Sequence, residues 1–559
     1  LLQQLYNPAS PSFHHYLTPE QFAAQFGPTE QDYQAVIHFA TSNRLEVTRM
    51  FGNRVVLDVA GNVSDIERAF HVTLGTYQHP TENRLFYAPD TEPWVDAGLP
   101  IRSVNGLDNF IIPHPNSLTV FPDAKRPTPN PNLDNGSGTN GSYAGHDFRN
   151  AYAPGVSLNG SGQFVGLVEF NGYNQGDINK YVSLTGITAV PLQPVTVDGV
   201  TNKPWNTYFY ANAEVSVDIE LVMSMAPGLS AINVYEGIYD ESVMNEIVSP
   251  MDGETRPNQV SSSWGLGTDI DTQLLEMTAQ GQSFFYASGD TGAPAGGVNS
   301  SATPDNDWTS VGGTALSMNG VGASWQSEGA WSGSYGAVDT ALPIPIYQAG
   351  VNASLNQGST VNRNVPDVAM EADFVMFVTT QIFTNGNPTK TGVVGTGSGT
   401  SAAAPLWAGF TSMVNEQAAG QGVPPVGFLN PAIYSIAQSS IYDSAFHDIT
   451  NGNNVNTNSD NLYYAGPGYD NVTGLGSPNG QAMIDALAGY AGPIWVNFSG
   501  ACPGNGNYTN PFCTLALGTN AVASGGTIWF VGPNSSSVTP VISKPMTLRA
   551  YGGSVTIGN

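Results

Sequence analysis

Phe164-Val165-Gly166-Leu167-Val168 is a short, wholly apolar run. It is followed by the helical stretch AEVSVDIELVMSMAPG (213–228) and then by the strand-like Ile232-Asn233-Val234-Tyr235-Glu236-Gly237. Apolar runs of strand length alternating with helices are buried strands joined by crossovers, which predicts an α/β domain with a largely parallel sheet. The pattern continues in a strand at Gln259–Ser262 and the apolar run Phe284-Phe285-Tyr286, so this body spans residues 143–491.

Residues 1–112 read as a separate α+β unit. Thr18-Pro19-Glu20-Gln21 carries the hydroxyl, proline and N3 glutamine of a helix start, and Gly27-Pro28 stops that helix. Thr29 starts another helix with Tyr33, Val36, Ile37 and Ala40 at helical spacing. Val55, Leu57 and Val59 alternate as a strand, and Ser64 with Glu67 reads as a capping box for a helix through Phe70. A small sheet with helices on one face is expected.

Residues 113–142, including TPNPNLDNGSGTNGS (128–142), have too little apolar content for anything but an exposed linker, and Lys125-Arg126 within them is a candidate processing site. The tail, 492–559, has β-type runs broken by glycines, GGTIWFV (525–531) and MTLRAYGGSVTI (546–557), with helix signals confined to about 515–523. A β-sandwich and the first coils of a β-solenoid both fit it. Its Cys502 and Cys513 are a candidate disulfide or two free thiols; without neighbouring histidines they are not the makings of a metal site.

The 559 residues hold 16 Lys plus Arg against 44 Asp plus Glu, a net charge of −28, yet only 11% are charged. Ordinary soluble proteins carry roughly 25%. The chain is acidic because it lacks bases, which argues against nucleic-acid binding and against a polybasic membrane surface. At 40% hydrophobic it has enough apolar surface for several cores. No apolar run is long enough to span a membrane. The chain starts at Leu1 without a basic-then-apolar leader, as expected of a secreted protein whose signal peptide has been removed or left out.

Ser398-Gly399-Thr400-Ser401-Ala402-Ala403-Ala404-Pro405 leads into the helical Leu406-Trp407-Ala408-Gly409-Phe410. A serine at the mouth of a helix among small residues is an accessible nucleophile beside N–H groups that suit developing negative charge; the alternative is a simple helix cap by Ser401 or Thr400. A serine nucleophile needs a base, and six of the eight histidines lie in the first 114 residues. The two others, His146 in Gly145-His146-Asp147 and His447, are not in a His-Gly-Thr-His setting, which disfavours a histidine-dependent subtilisin-like triad.

A carboxylate has to take that place. Glu214 and Asp218, four apart, share a helix face that continues to the apolar Leu221 and Met225. Two carboxylates aimed inward share a proton, and one can act as a base in acid. The alternative is two solvated acids on an amphipathic helix, as neighbouring Glu220 suggests. Asp290, in Tyr286-Ala287-Ser288-Gly289-Asp290-Thr291-Gly292, follows an apolar strand, where α/β sheets build sites, or it is an ordinary turn acid.

GSGTSAAAP (397–405), the Glu214-x-x-x-Asp218 helix and ASGDTGA (287–293), in these positions, resemble the sedolisin family of serine-carboxyl peptidases, the kumamolisin-like enzymes. YLTPEQFAAQFGP (16–28) and GNVSDIERAF (61–70) are similar to the family's activation prodomain, so the resemblance covers about residues 1–490. It implies a subtilisin-like fold in which Ser401 is the nucleophile, Glu214 the general base, Asp218 the carboxylate that orients it and Asp290 the oxyanion donor. Glu169 and Trp264 match the family's extension of this network.

The resemblance also implies one Ca²⁺ site, with carboxylates from Asp448 and Asp470, carbonyls from Ile449, Gly466 and Gly468, and water completing an approximately octahedral shell.

The reading that follows is a secreted, monomeric, acid-acting endopeptidase, made as a precursor whose prodomain inhibits and chaperones it, with protein or peptide substrates. A tripeptidyl exopeptidase of the same family remains open, as does a non-catalytic surface or binding protein with the tail as an adhesive module. The prodomain histidines, charging near pH 6, suggest acid-triggered release and self-cleavage in the linker.

Overall fold

The computed structural model describes the chain apart from residues 9, 11, 116–118, 122–134, 205–210, 251–254, 268–269, 300–306, 383–387, 490–493, 505, 507–510, 523–525, 540, 552 and 559. Lys125-Arg126 therefore lies outside the described residues.

The apolar runs form the strands expected of them. Phe164–Glu169 (β1), Leu192–Thr196 (β2), Ala231–Glu236 (β3), Gln259–Ser262 (β4) and Ser283–Ala287 (β5) pair in parallel, in the order β5-β4-β1-β3-β2. Thr309–Met318 (β6) adds parallel to β5, with Trp325–Ala330 (β7) antiparallel and Val368–Glu371 (β8) parallel to it, completing eight strands. β1, β3 and β4 are buried almost throughout, which is why they read as continuous apolar runs. Because β3 and β4 flank β1 on opposite sides, the chain ends beyond them open a crevice at the carboxyl edge of the sheet.

Ala211–Met225 (α1) differs from an amphipathic helix: all fifteen residues are buried. It packs against the long helix Thr400–Gly420 (α4) and the strand Val375–Ile382, so neither face meets water. Glu220 is therefore not a solvated acid; its carboxylate takes the Val378 N–H, at 3.0 Å from Oε2. Gly409 of α4 is what lets the two helices meet, since a Cβ there would stand 2.9 Å from Met225 Cβ.

In the N-terminal unit Thr18 forms the expected capping box with Gln21, and the helix from Thr29 runs over Glu30–Ser42. Ser64 does not cap: it lies inside the helix Val63–Phe70. The left-handed turn at His71 (φ 56°) folds the chain back so that Glu67 accepts from Leu74 N at 2.9 Å. The strands form two separate antiparallel hairpins, Glu46–Met50 with Leu57–Ala60 and Leu74–Gln78 with Leu85–Pro89, instead of one sheet.

The unit docks on Asp240–Val248 (α2) and Asp271–Ala279 (α3). Asn53 is fully buried; its N–H donates to Ser249 Oγ (3.0 Å), and its Nδ2 to Asn245 Oδ1 and Glu276 Oε2 (both 2.9 Å). Tyr6 and Tyr16 add bonds to the carbonyls of Thr278 (2.8 Å) and Val426 (3.0 Å).

The linker is not simply exposed. Ser142 is fully buried, and Thr119–Phe121 pairs antiparallel with Thr396–Ser398. Composition missed this because the contacts are polar: strand pairing by the backbone of 119–121, and the Asn135 side chain, whose Nδ2 donates to Met318 O at 2.8 Å.

In the tail, Ile494, Ile528 and Leu548 stack in successive parallel strands, and Asn534 pairs with Val555 in a second parallel column. Stacked parallel strands on two walls are solenoid coils, not a sandwich. Val496, Leu515, Val522, Ile528 and Phe530 fill them, and Cys502–Cys513 is a disulfide with Cα atoms 5.2 Å apart. Among the described residues no helix is long and apolar enough to cross a membrane.

Candidate active site

The residues of the site come from five elements. β5 ends at Ala287 and delivers Asp290 three residues later, after Gly289 at φ 114°. β4 ends at Ser262 and delivers Ser263 and Trp264. β1 ends on Glu169, and α1 supplies Glu214 and Asp218. Ser401 occupies the second position of α4, behind Gly399. Glu169, Glu214, Asp218, Trp264 and Ser401 are all fully buried, and Glu214 lies close enough to Asp218, Ser401 and Asp290 to be influenced by each, while Asp218 neighbours Glu169 and through it Trp264.

Hydrogen bonds order the group. Trp264 Nε1 donates to Glu169 Oε2 at 2.7 Å, and Ser263 Oγ donates to Asp218 Oδ1 at 2.9 Å. Thr400 donates its N–H (2.7 Å) and its hydroxyl (2.9 Å) to Asp290 Oδ1, while its hydroxyl accepts from Gly289 N at 3.0 Å. The atoms left without partners among the described residues outline the reacting region: Ser401 Oγ, both Glu214 oxygens, Asp218 Oδ2, Asp290 Oδ2 and Glu169 Oε1.

Burial dominates the electrostatics. It holds Glu214 well above the usual carboxylate range; the Asp218 charge raises it further, and neighbouring Ser401 pulls it down, although no hydrogen bond closes between them. Glu169 is raised by burial and then by the Asp218 charge. Burial also raises Asp218, against the hydrogen bond from Ser263 and the pull of the neighbouring Glu169 carboxyl, although no hydrogen bond closes between the two carboxyls. Three carboxyls in one dry site cannot all ionise, so they share protons. Asp290 is pushed up to about 7 by burial, despite the two bonds from Thr400. With Oδ1 saturated by donors, its proton belongs on Oδ2.

Ser263 was missed in the sequence because a serine after a strand has no distinguishing pattern. Glu236 was also missed; its one signal is that INVYE, like FVGLVE, is an apolar strand run ending on a glutamate.

The two calcium-candidate carboxylates meet on one turn. Asp448 Oδ2 accepts from Gly468 N (2.9 Å), and Asp470 Oδ2 accepts from Gly466 N (3.0 Å). The carbonyls of Ile449, Gly466 and Gly468 accept no hydrogen bond among the described residues. Among the described residues no three or more His, Cys, Asp or Glu are grouped so that they could hold a metal ion, so a cation here depends on those carbonyls. Hard oxygen donors of both kinds on a glycine turn fit Ca²⁺.

The activation-domain family model of pro-kumamolisin matches residues 1–110. Kumamolisin from Bacillus sp. (strain MN-32) is 30% identical over 496 residues, 84% of this chain and 86% of that protein. Xanthomonalisin from Xanthomonas sp. (strain T-22) is 26% identical over 587 residues, 92% of this chain and 66% of that one. Among solved structures, Pseudomonas sedolisin, a serine-carboxyl proteinase complexed with two molecules of pseudo-iodotyrostatin, aligns with a TM-score of 0.48 at 21% identity, over 63% of this chain and 98% of that one.

Proposed function

The chain belongs to the sedolisin family of serine-carboxyl peptidases, and on that footing we propose that it is a secreted, monomeric, acid-acting endopeptidase made as a self-processing precursor. The observation that carries the reading is the convergence of Ser401, Glu214, Asp218 and Asp290 in one crevice, with their reacting atoms unengaged.

Ser401 Oγ attacks the peptide carbonyl while Glu214 takes its proton. Asp290 donates its Oδ2 proton as a hydrogen bond to the oxyanion. Collapse breaks the C–N bond, Glu214 returns the proton to the leaving amine, and water then hydrolyses the acyl-enzyme with Glu214 again as base. Asp218 and Glu169 orient Glu214 and share the protons it does not hold. Because Asp290 works as a neutral acid, activity belongs below about pH 7.

Endopeptidase activity and self-processing are supported by the linker. On one side of Ser401, Gly265 N donates to His114 O at 2.9 Å and Pro115 bridges Trp264; on the other, residues 119–121 pair with 396–398. The chain thus pairs with both walls of the crevice, at 114–115 and again at 119–121. The first cut then falls in the bonds joining Pro115 to Thr119, upstream of Lys125-Arg126. The docked prodomain holds this segment in place as intramolecular inhibitor.

Asp448, Asp470 and the carbonyls of Ile449, Gly466 and Gly468 would hold a Ca²⁺ that ties the 448–449 loop to the 466–470 turn and stiffens the wall behind β8.

Incubation of the purified protein with a peptide library at pH 4, and N-terminal sequencing of the processed form, test the reading. Internal cuts and a new N-terminus within residues 116–119 are expected. Release of N-terminal tripeptides alone would give the tripeptidyl alternative, and no cleavage by wild type, with Ser401→Ala indistinguishable from it, would leave the non-catalytic one.

A further inference from the structure

Glu236 closes β3 as Glu169 closes β1, and the two are register partners on adjacent parallel strands, with Gly237 N donating to Glu169 O at 3.1 Å. Partners in a parallel pair project to the same face about 4.8 Å apart, so Glu236 shares the face on which Glu169 meets Trp264 and Asp218. Glu236 is fully buried, and neither of its carboxyl oxygens has a partner among the described residues. Glu169 Oε1 is likewise open.

Building on the peptidase reading above, we propose that Glu236 is a positioning residue of the carboxyl chain. As a neutral acid it donates its O–H to Glu169 Oε1, directly or through one water, and so fixes the far end of Glu214–Asp218–Glu169–Trp264.

Two unsatisfied carboxyls side by side in a dry site each carry a desolvation cost, and one shared proton relieves both. Burial pushes Glu236 up to about 8, so it keeps the proton it would donate throughout the acid range. The ionisable groups on the elements around it are Glu169 of β1, Tyr173 beyond β1, Asp198 beyond β2, and Asp240, Glu241 and Glu246 of α2. Four of these are engaged elsewhere. Asp198 Oδ2 accepts from Ile238 N (2.9 Å) and Tyr239 N (3.0 Å), Asp240 from Gly267 N (Oδ2), Glu241 from Asn105 Nδ2 (2.8 Å), and Glu246 pairs with Arg49. Glu169 and Tyr173 are the groups whose titration the Glu236 charge perturbs.

A donor to Glu169 favours the ionised chain, and that negative charge is what lets Glu214 act as base. Removing the donor therefore raises the pH at which the chain ionises. Glu236→Gln keeps a donor in the same shape, whereas Glu236→Leu does not. In the processed enzyme, Glu236→Gln is expected to stay near wild type. Glu236→Leu is expected to lower kcat about tenfold with KM kept, and to move the acid limb of the kcat profile up by about half a pH unit. The Trp264 indole N–H NMR signal, assigned by Trp264→Phe, is expected to titrate with a raised midpoint in Glu236→Leu and to be restored in Glu236→Gln. Superimposable pH profiles and indole titrations for wild type and Glu236→Leu would overturn the proposal. So would equal losses in both variants at every pH with the indole titration unmoved, which is the mark of mere packing. If wild type cleaves no peptide the peptidase reading fails, and the indole titration alone still decides whether Glu236 acts on Glu169.

Discussion

Thr400 delivers both its backbone N–H and its hydroxyl to a single oxygen of Asp290, at 2.7 and 2.9 Å, leaving the other oxygen open toward Ser401's crevice. The residue before the nucleophile thereby decides which Asp290 oxygen carries the proton, and how acidic that proton is.

Both bonds favour ionised Asp290 and oppose the burial that pushes it up to about 7. Thr400→Val removes the hydroxyl, so the Asp290 pKa rises and the alkaline limb of kcat/KM moves to higher pH. Asp290→Asn cannot titrate, and its alkaline limb should lose that ionisation, with kcat down by about 10²-fold or more as for loss of one oxyanion donor. An unchanged limb in Thr400→Val would remove Asp290 from the rate-controlling ionisations.

Gly409→Ala should slow the enzyme without touching the site. The added Cβ, 2.9 Å from Met225 Cβ, pushes α4 off α1 and separates Ser401 from Glu214. Overpacking of this kind costs roughly 1–3 kcal/mol of stability. A fall in kcat beyond what the drop in melting temperature explains, with KM little changed, is the expected result.

If histidines trigger release of the prodomain, His14 is the one to test. It stacks on Phe13 (3.8 Å between centroids) and Tyr16 (5.3 Å) in the cluster that carries the prodomain onto the peptidase, and burial lowers its pKa to about 4. Docking stability from a neutral His14 is complete above pH 6.5 and is lost as pH falls toward 4. Asp58, pushed up to about 6, and Glu276, pushed up to about 7, have the opposite sign: they favour docking in acid and weaken it as pH rises. His14→Gln should therefore shift the midpoint of self-processing, followed by gel against pH, to lower pH.

Chelation should lower the melting temperature, and Ca²⁺ should restore it. A ligand at a hundredfold excess over its Kd stabilises the folded state by about 2.7 kcal/mol. Asp448→Asn should abolish the difference between chelated and calcium-loaded protein; a melting temperature indifferent to both treatments would dismiss the cation.

Much of this was legible along the chain. Apolar runs such as 164–168 and 284–286 are strand-length and uninterrupted because both faces of the central sheet are covered, and the run of small residues after Ser401 marks a hydroxyl with room around it. The i, i+4 spacing put Glu214 and Asp218 on one face whatever surrounded them, and the histidine count left the nucleophile without its usual base. These properties are local: composition, period and spacing report on backbone and near neighbours.

Tertiary structure alone decided the rest, because it depends on what packs against what. Complete burial made α1 a carrier of proton-sharing carboxyls instead of an amphipathic helix, and stranded Glu236 beside Glu169. Backbone pairing of residues 119–121 with 396–398 tied a polar linker to the strand that leads to Ser401, and parallel pairing stacked the strands of the tail. None of these is written in a residue's neighbours along the chain, since desolvation and strand pairing are set by groups tens or hundreds of residues away.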